Sequence, residues 1–197
     1  MPIFHGSDRL ALRHAAEQLA RGDLVAFPTE TVYGLGARAD DDAAVAGIFA
    51  AKGRPADHPL IVHVSSLDAV HSFAAEVGPA AQRLMAAFWP GPLTLVLQRL
   101  PGQGAAAAAR QDSIALRMPA HPVAQALLEA AAHLGVPGVA APSANRFGRV
   151  SPTRAQHVAQ EFGSALMVLD GGACDVGIES AIVDCSGGGA RSLRRAA

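Results

Sequence analysis

Short apolar runs alternate with helix-length amphipathic stretches along most of this chain, and that alternation excludes both all-helical and all-strand folds. The runs at 24–27, 60–64, 93–97, 114–117, 139–141, 165–169, 181–184 and 191–193 read as strands. Ser7 is placed to cap a helix through Leu10, Leu12, Ala16 and Leu19, which Gly22 ends. The acidic run 40–42 suits the start of a second helix, which reaches Lys52 and stops at Gly53. Ser66 and Pro79 begin two more, 121–134 forms a fifth, and Thr153 with Gln156 reads as the capping box of a sixth. Towards the chain ends several strand-to-strand connections are too short to hold a helix, so a purely parallel wound sheet does not account for them. The pattern predicts an α/β fold: a mixed, twisted sheet flanked by helices. There is no internal repeat and no linker-like stretch, so residues 1–197 read as one domain.

Half of the 197 residues are hydrophobic and 17% are charged, against about 25% in an average globular protein. That balance implies a compact core, much of it alanine. A net charge of −1 gives no overall pull towards nucleic acid or a membrane surface. Arg146, Arg149 and Arg154, and the closing Arg191, Arg194 and Arg195, form the only dense basic stretches. They read either as solvated surface or as a weak local tRNA contact. No 18-residue apolar run occurs and the N-terminus lacks a basic-then-apolar leader, so a cytoplasmic protein is expected. Two cysteines, Cys174 and Cys185, are too few for a zinc site or a disulfide scaffold. Reduced thiols and no protein-built metal site are expected.

Three segments concentrate chemistry. Phe27-Pro28-Thr29-Glu30-Thr31-Val32-Tyr33-Gly34-Leu35-Gly36 gathers two hydroxyls, a carboxylate and a phenol after a strand, where α/β sheets place ligands. The following Gly34-Leu35-Gly36-Ala37-Arg38-Ala39 matches a dinucleotide fingerprint only loosely, because its glycines neither follow a strand directly nor open a helix. Lys52 is the sole lysine among 16 basic residues, and Lys52-Gly53-Arg54 either turns two cations onto one anion or merely complements a helix end. Arg117 closes a buried strand, where an unpaired guanidinium costs several kcal/mol. Its partner is either an internal carboxylate or a substrate carboxylate gripped by two parallel hydrogen bonds.

Together these segments resemble the YrdC-like family, whose stand-alone members are threonylcarbamoyl-adenylate synthases. The resemblance rests on FPTETVYGLGA from Phe27, KGRP from Lys52 with HPLIVHV from His58, FWPGPLT from Phe88, ALRMP from Ala115, APSAN from Ala141 with SPT from Ser151, and GIES from Gly177 with IVD from Ile182. Six motifs in one order over most of the chain are highly specific. The resemblance implies a twisted α/β fold and the joining of L-threonine, bicarbonate and ATP, with Lys52 and Arg54 as the catalytic cations. It implies a threonine pocket of Thr31, His63, Arg117, Ser180 and the backbone near Ala141. It implies an ATP site of Lys52, Arg54, His58, Ser113, Ser143, Asn145, Ser151 and Arg194, with Mg²⁺ bound mainly through ATP. The product would pass to a separate transferase that modifies tRNA. Here His58 stands where asparagine is common in the family, Phe147 where serine is frequent, and Ala181 where threonine is usual. The chain closes Arg194-Arg195-Ala196 where the family continues Arg-Pro-Gly. Two other readings are an RNA-binding or ribosome-associated module and a carbamoyl-adenylating domain of the carbamoyltransferase type.

Overall fold

A computed structural model describes residues 3–187 and 189–194. Arg195 and Ala196, part of the closing basic stretch, lie outside the described residues. In chain order the elements are β1 (Ile3–His5), α1 (Arg9–Arg21), β2 (Val25–Phe27), β3 (Gly34–Arg38), α2 (Asp42–Lys52), β4 (Ile61–His63), α3 (Leu67–Val70), α4 (Pro79–Phe88), β5 (Leu93–Gln98), β6 (Ser113–Arg117), α5 (Pro122–His133), β7 (Val139–Ala140), α6 (Ala155–Phe162), β8 (Met167–Asp170), β9 (Ala181–Asp184) and β10 (Arg191–Arg194). The strands form one sheet in the order β1-β8-β2-β3-β7-β4-β6-β5-β9-β10. Parallel pairs (β1/β8, β2/β8, β4/β6, β5/β9) are mixed with antiparallel ones, in keeping with the short connections.

Local chemistry explains most boundaries. Gly22 (φ 89°) and Gly53 (φ 62°) end α1 and α2 in the left-handed conformation that other residues resist. Ser66 caps α3 and Pro79 opens α4, both as expected. Two expected caps are corrected. Asp8, not Ser7, accepts from the Leu10 amide, because the Ser7 hydroxyl is taken by His5 at 2.8 Å. Thr153 forms no capping box: α6 starts after Arg154 with no side-chain cap, and the Thr153 carbonyl accepts from Cys174. The strand expected at 165–169 begins at Met167, since Gly163–Ala165 forms a 3₁₀ turn.

Two strands went unforeseen. The three-residue β1 is partly exposed and owes its place to a parallel partner far along the chain. The glycine-rich 34–38 segment is β3, antiparallel to β2, which disposes of the dinucleotide reading. A Cβ at Gly36 would sit 2.8 Å from both the Phe27 and Val139 side chains, so glycine is required for the close approach.

Two cores lie on opposite faces of the sheet. One packs Val45, Ile48, Phe49, Phe73, Met85, Leu95 and Leu116 beneath α2, α3, α4 and α6. The other joins α1 and α5 through Ala15, Ala16, Leu19, Leu127 and Ala131 to Val25, Phe27, Val139 and Leu169. Each fully buried leucine contributes about 1.5–3 kcal/mol of transfer free energy, while the alanines let α1 and α5 lie close together. This second layer covers β8, β2, β3 and β7 only. On β4 and β6, alternation sends Val62 and Leu116 into the first core and leaves Ile61, His63, Ser113, Ala115 and Arg117 on the uncovered half of the other face.

The connection from β8 to β9, residues 171–180, must cross this open half. In a flat sheet those strands would stand seven spacings apart, about 34 Å, the full reach of ten extended residues. The segment is bent at Gly172 (φ 88°) and Gly177 (φ 71°), so the sheet is curled and its open half concave.

Candidate functional site

The concave half holds a small cavity of about 40 Å³ lined by the β2–β3 turn (Thr29, Thr31, Val32, Gly34), by Ile61 and His63, by Arg117, by Ala141, Pro142 and Ser143, and by Glu179. Larger depressions elsewhere, such as one of about 530 Å³ beside Gln18, Asp23 and Arg146, gather no comparable set of buried polar groups. Five of the sequence-expected residues, Thr31, His63, Arg117, Ala141 and Ser143, therefore meet in one place. Register explains it: β4 and β6 run parallel with His63 directly opposite Arg117, and the Ala141 amide donates to Ile61 O at 2.9 Å.

Arg117 is 3% exposed. Its Nε donates to Gly91 O at 3.2 Å and its Nη1 to Thr31 Oγ1 at 3.0 Å. Its Nη2 lies 2.7 Å from Glu30 Oε1, a charge contact whose angles are not those of a hydrogen bond. The internal carboxylate left open by the sequence thus exists. It still leaves Nη2 hydrogens without a hydrogen-bond acceptor beside the cavity. Glu30 is held in turn by the Ala120 amide at 3.1 Å, and its carbonyl accepts from Val176 in the 171–180 segment.

His63 is buried with Nδ1 unpartnered, and packs edge-on against Phe27 with ring centroids 6.0 Å apart. Burial, reinforced by the Arg117 charge, holds its pKa down to about 3, so the ring is neutral near pH 7. Beneath these groups Tyr33 is fully buried; burial pushes its phenol up, and it donates to Gly172 O at 2.7 Å.

Ser180, Ser151 and Arg194 form a second group, joined through Glu179. The Ser180 hydroxyl lies 2.8 Å from Thr94 Oγ1, and Arg194 Nε donates to Ser180 O at 2.8 Å. Ser151 donates to Glu179 at 3.0 Å, and Arg194 stands 3.7 Å from the other Glu179 oxygen. The Arg194 assignment thus falls beside the site.

Lys52 belongs to a third group. It is 4% exposed, and its ammonium donates to the backbone carbonyls of Ser143 and Asn145. It neither lies along its own helix end nor stands open in solvent; it fastens the 142–149 loop to α2. Burial first, then repulsion from Arg54, draws its pKa down to about 8. Asn145 donates within its own loop, to Arg146 O and Arg149 O, and keeps Oδ1 unpartnered. Arg54 is half-buried with Nε unpartnered, and burial lowers its pKa. His58 is exposed and paired with Asp57 at 2.8 Å. Ser113 lies on the Arg117 face but four residues back along β6, about 13 Å away. No hydrogen bond or ion pair among the described residues ties Arg54, His58 or Ser113 to the cavity.

Four residues here escaped the sequence reading. Glu30 and Thr29 sit in a turn that was singled out, but nothing local shows that Glu30 faces Arg117. Glu179 and Thr94 lie within quoted motifs, and only tertiary pairing reveals their partners. Arg146 and Arg149 are exposed, and both lean on Glu161. Cys174 and Cys185 are free and half-buried, and burial pushes the Cys174 thiol up to about 11. Among the described residues no helix is long and apolar enough to cross a membrane, and no three metal-ligating side chains cluster.

A buried arginine, a neutral histidine and a threonine hydroxyl meeting on the open face of an otherwise covered mixed sheet define an α/β domain with a polar pocket suited to a small ligand. A family model described as telomere recombination, whose name joins Sua5, YciO and YrdC, matches residues 17–196. The chain belongs to the Sua5/YciO/YrdC family. It is 48% identical over 174 residues to a threonylcarbamoyl-AMP synthase of Pyrococcus abyssi, covering 88% of this chain and 50% of the relative. A threonylcarbamoyl-AMP synthase of Bacillus subtilis is 44% identical, with 89% and 50% covered. The crystal structure of P. abyssi Sua5 complexed with L-threonine superposes with a TM-score of 0.88 at 46% identity, covering 93% of this chain and 53% of that one. The chain spans about half the length of these relatives.

Proposed function

We propose that this chain condenses L-threonine, bicarbonate or CO₂, and ATP into threonylcarbamoyl-AMP with release of pyrophosphate. The observation that carries the reading is the meeting of Arg117, His63 and Thr31 at one cavity, with Arg117 Nη2 ion-paired to Glu30 but not hydrogen-bonded to it and the His63 ring neutral. An amino acid carboxylate can bond to Arg117, and the uncharged His63 ring adds no positive charge against the amine, which loses a proton to solvent before it attacks. The names of the relatives and the threonine complex of P. abyssi Sua5 support the same ligand.

In the proposed reaction the threonine amine adds to CO₂, or to bicarbonate with loss of water, and gives a carbamate. A carbamate oxygen then attacks the α-phosphorus of ATP, and the bond to the β-phosphate oxygen breaks to release pyrophosphate. Such a transfer depends on alignment and charge neutralisation more than on a strong base. Arg117 is assigned to the carboxylate, and Ser180, held by Thr94, to the same ligand. Arg54, Ser143, Ser151 and Arg194 are assigned to ATP along the concave face, with Asn145. Lys52 acts on the phosphates by its charge and by shaping the Ser143–Asn145 loop that would receive them. His58 and Ser113 are assigned to the more distant part of the nucleotide. Mg²⁺ carried mainly by the triphosphate would neutralise charge on the leaving pyrophosphate. The 40 Å³ cavity holds about three waters, so substrate entry moves Glu179 outward. A cytoplasmic location and a tRNA-modifying transferase that accepts the product complete the proposal.

Purified protein with ATP, Mg²⁺ and bicarbonate should release pyrophosphate when L-threonine is added, and less with serine. Release indifferent to threonine would end the proposal.

A further inference from the structure

The hydroxyls of the β2–β3 turn form a chain whose direction can be worked out. Thr29 Oγ1 donates to Val32 O at 2.7 Å, and a hydroxyl has one hydrogen to give. The 2.9 Å contact between Thr29 Oγ1 and Thr31 Oγ1 must therefore carry the Thr31 hydrogen. Arg117 Nη1 donates to Thr31 Oγ1 at 3.0 Å. The order is one-way: Arg117 to Thr31, Thr31 to Thr29, Thr29 to the Val32 carbonyl. The Thr31 and Val32 amides, each at 3.2 Å, share the remaining lone pair of Thr29 Oγ1, which has nothing left for a ligand. Thr31 has spent its hydrogen, and of its two lone pairs one receives Arg117. What remains towards the cavity is a single acceptor. Both threonines are almost fully buried, at 2% and 0% exposure, so water does not scramble the arrangement.

We infer that Thr29 is a positioning residue that fixes the polarity of the substrate pocket, forcing Thr31 to act only as an acceptor and so to select an amine beside the carboxylate held by Arg117. This rests on the threonine-pocket reading above and deepens it. A carboxylate on Arg117 with an N–H donor on its α-carbon fits the donor-then-acceptor sequence that Arg117 and Thr31 present. A ligand offering a second acceptor at that position meets lone pair against lone pair. Accepting an amine N–H also leaves the nitrogen lone pair free to attack CO₂ or bicarbonate.

The test compares L-2-aminobutanoate with 2-oxobutanoate, which differ at the α-position, by calorimetric binding to the wild type, Thr29→Val and Thr29→Ser. The wild type should bind the amino acid at least tenfold more tightly. In Thr29→Val the Thr31 hydrogen is released and can turn into the cavity. The amino acid should then weaken by roughly threefold to tenfold, while the oxo acid holds or tightens. Thr29→Ser, which keeps the hydroxyl, should restore the wild-type ratio. A variant that weakens both ligands equally, or leaves both unchanged, overturns the inference, since a purely structural threonine would do one or the other. If Thr29→Val does not fold, the wild type still decides: equal affinity for the two acids overturns the inference. A wild type that binds neither L-threonine nor the amino acid overturns the threonine-pocket reading itself. Threonine binding with an unmoved ratio overturns this step alone.

Discussion

Arg117→Lys separates the two jobs assigned to one guanidinium. Lysine keeps the positive charge, so an ion pair with Glu30 survives in some form. It loses the bonds from Nε to Gly91 O and from Nη1 to Thr31 Oγ1, because an ammonium on a flexible stem cannot reproduce a planar fork. At about 0.5–1.5 kcal/mol for each net bond, stability should fall by about 1–3 kcal/mol. The consequence for binding is separate. Nη2, which has no hydrogen-bond acceptor in the structure, is placed with Nη1 to give a carboxylate two parallel bonds. Losing a charge-assisted contact costs about 1.5–3 kcal/mol, or roughly 10- to 150-fold in L-threonine affinity. ATP should change by less than about threefold, since its phosphates are assigned to Lys52, Arg54 and Arg194 rather than to this strand end. Calorimetric titration of each ligand, with urea unfolding of the same samples, reads all three quantities. Equal weakening of both ligands would refute the two-pocket assignment. Unchanged threonine binding with the stability loss intact would make Arg117 purely the structural partner of Glu30.

Lys52→Met removes the ammonium that holds two loop carbonyls, so turnover should fall at least tenfold and amide exchange across residues 142–149 should quicken; wild-type exchange with lost turnover would favour a phosphate role alone. His63 has a folded pKa of about 3 against about 6.5 unfolded. Between those values the unfolded chain binds more protons, so stability is fully present above pH 6.5 and is lost as pH falls towards 3. His63→Phe should flatten that part of a urea-midpoint-against-pH profile, and an unaltered slope would show that His63 does not titrate this way.

Much of the fold was legible because local chemistry decided it. Gly22, Gly53, Ser66 and Pro79 punctuate helices for reasons that reside in each residue. Where the sequence misled, a tertiary contact had outbid the local preference. Thr153 has the right type for a cap, but its carbonyl is engaged by Cys174. Gly34–Arg38 looks like a loop because two glycines lower strand propensity, yet Phe27 and Val139 leave room for nothing larger at Gly36. The site shows the same division. A buried strand-end arginine announces that an anion is near, but that Glu30 supplies part of it depends on how the turn packs. Lys52 stood out as the only lysine, whereas its partners are backbone carbonyls, which carry no sequence signal at all.

Residues 171–180 do more than cover a cavity. They are the only covalent route from β8 to β9, and they touch the β2–β3 turn, the Thr153 carbonyl and Ser151 on the way. A ligand seated beneath them therefore works like a rivet through a hinge strap: the free energy it gives to the pocket is shared with the attachment of β9 and β10 to the rest of the sheet. In the proposed reaction, admitting substrate beneath the segment would loosen that attachment and binding would tighten it.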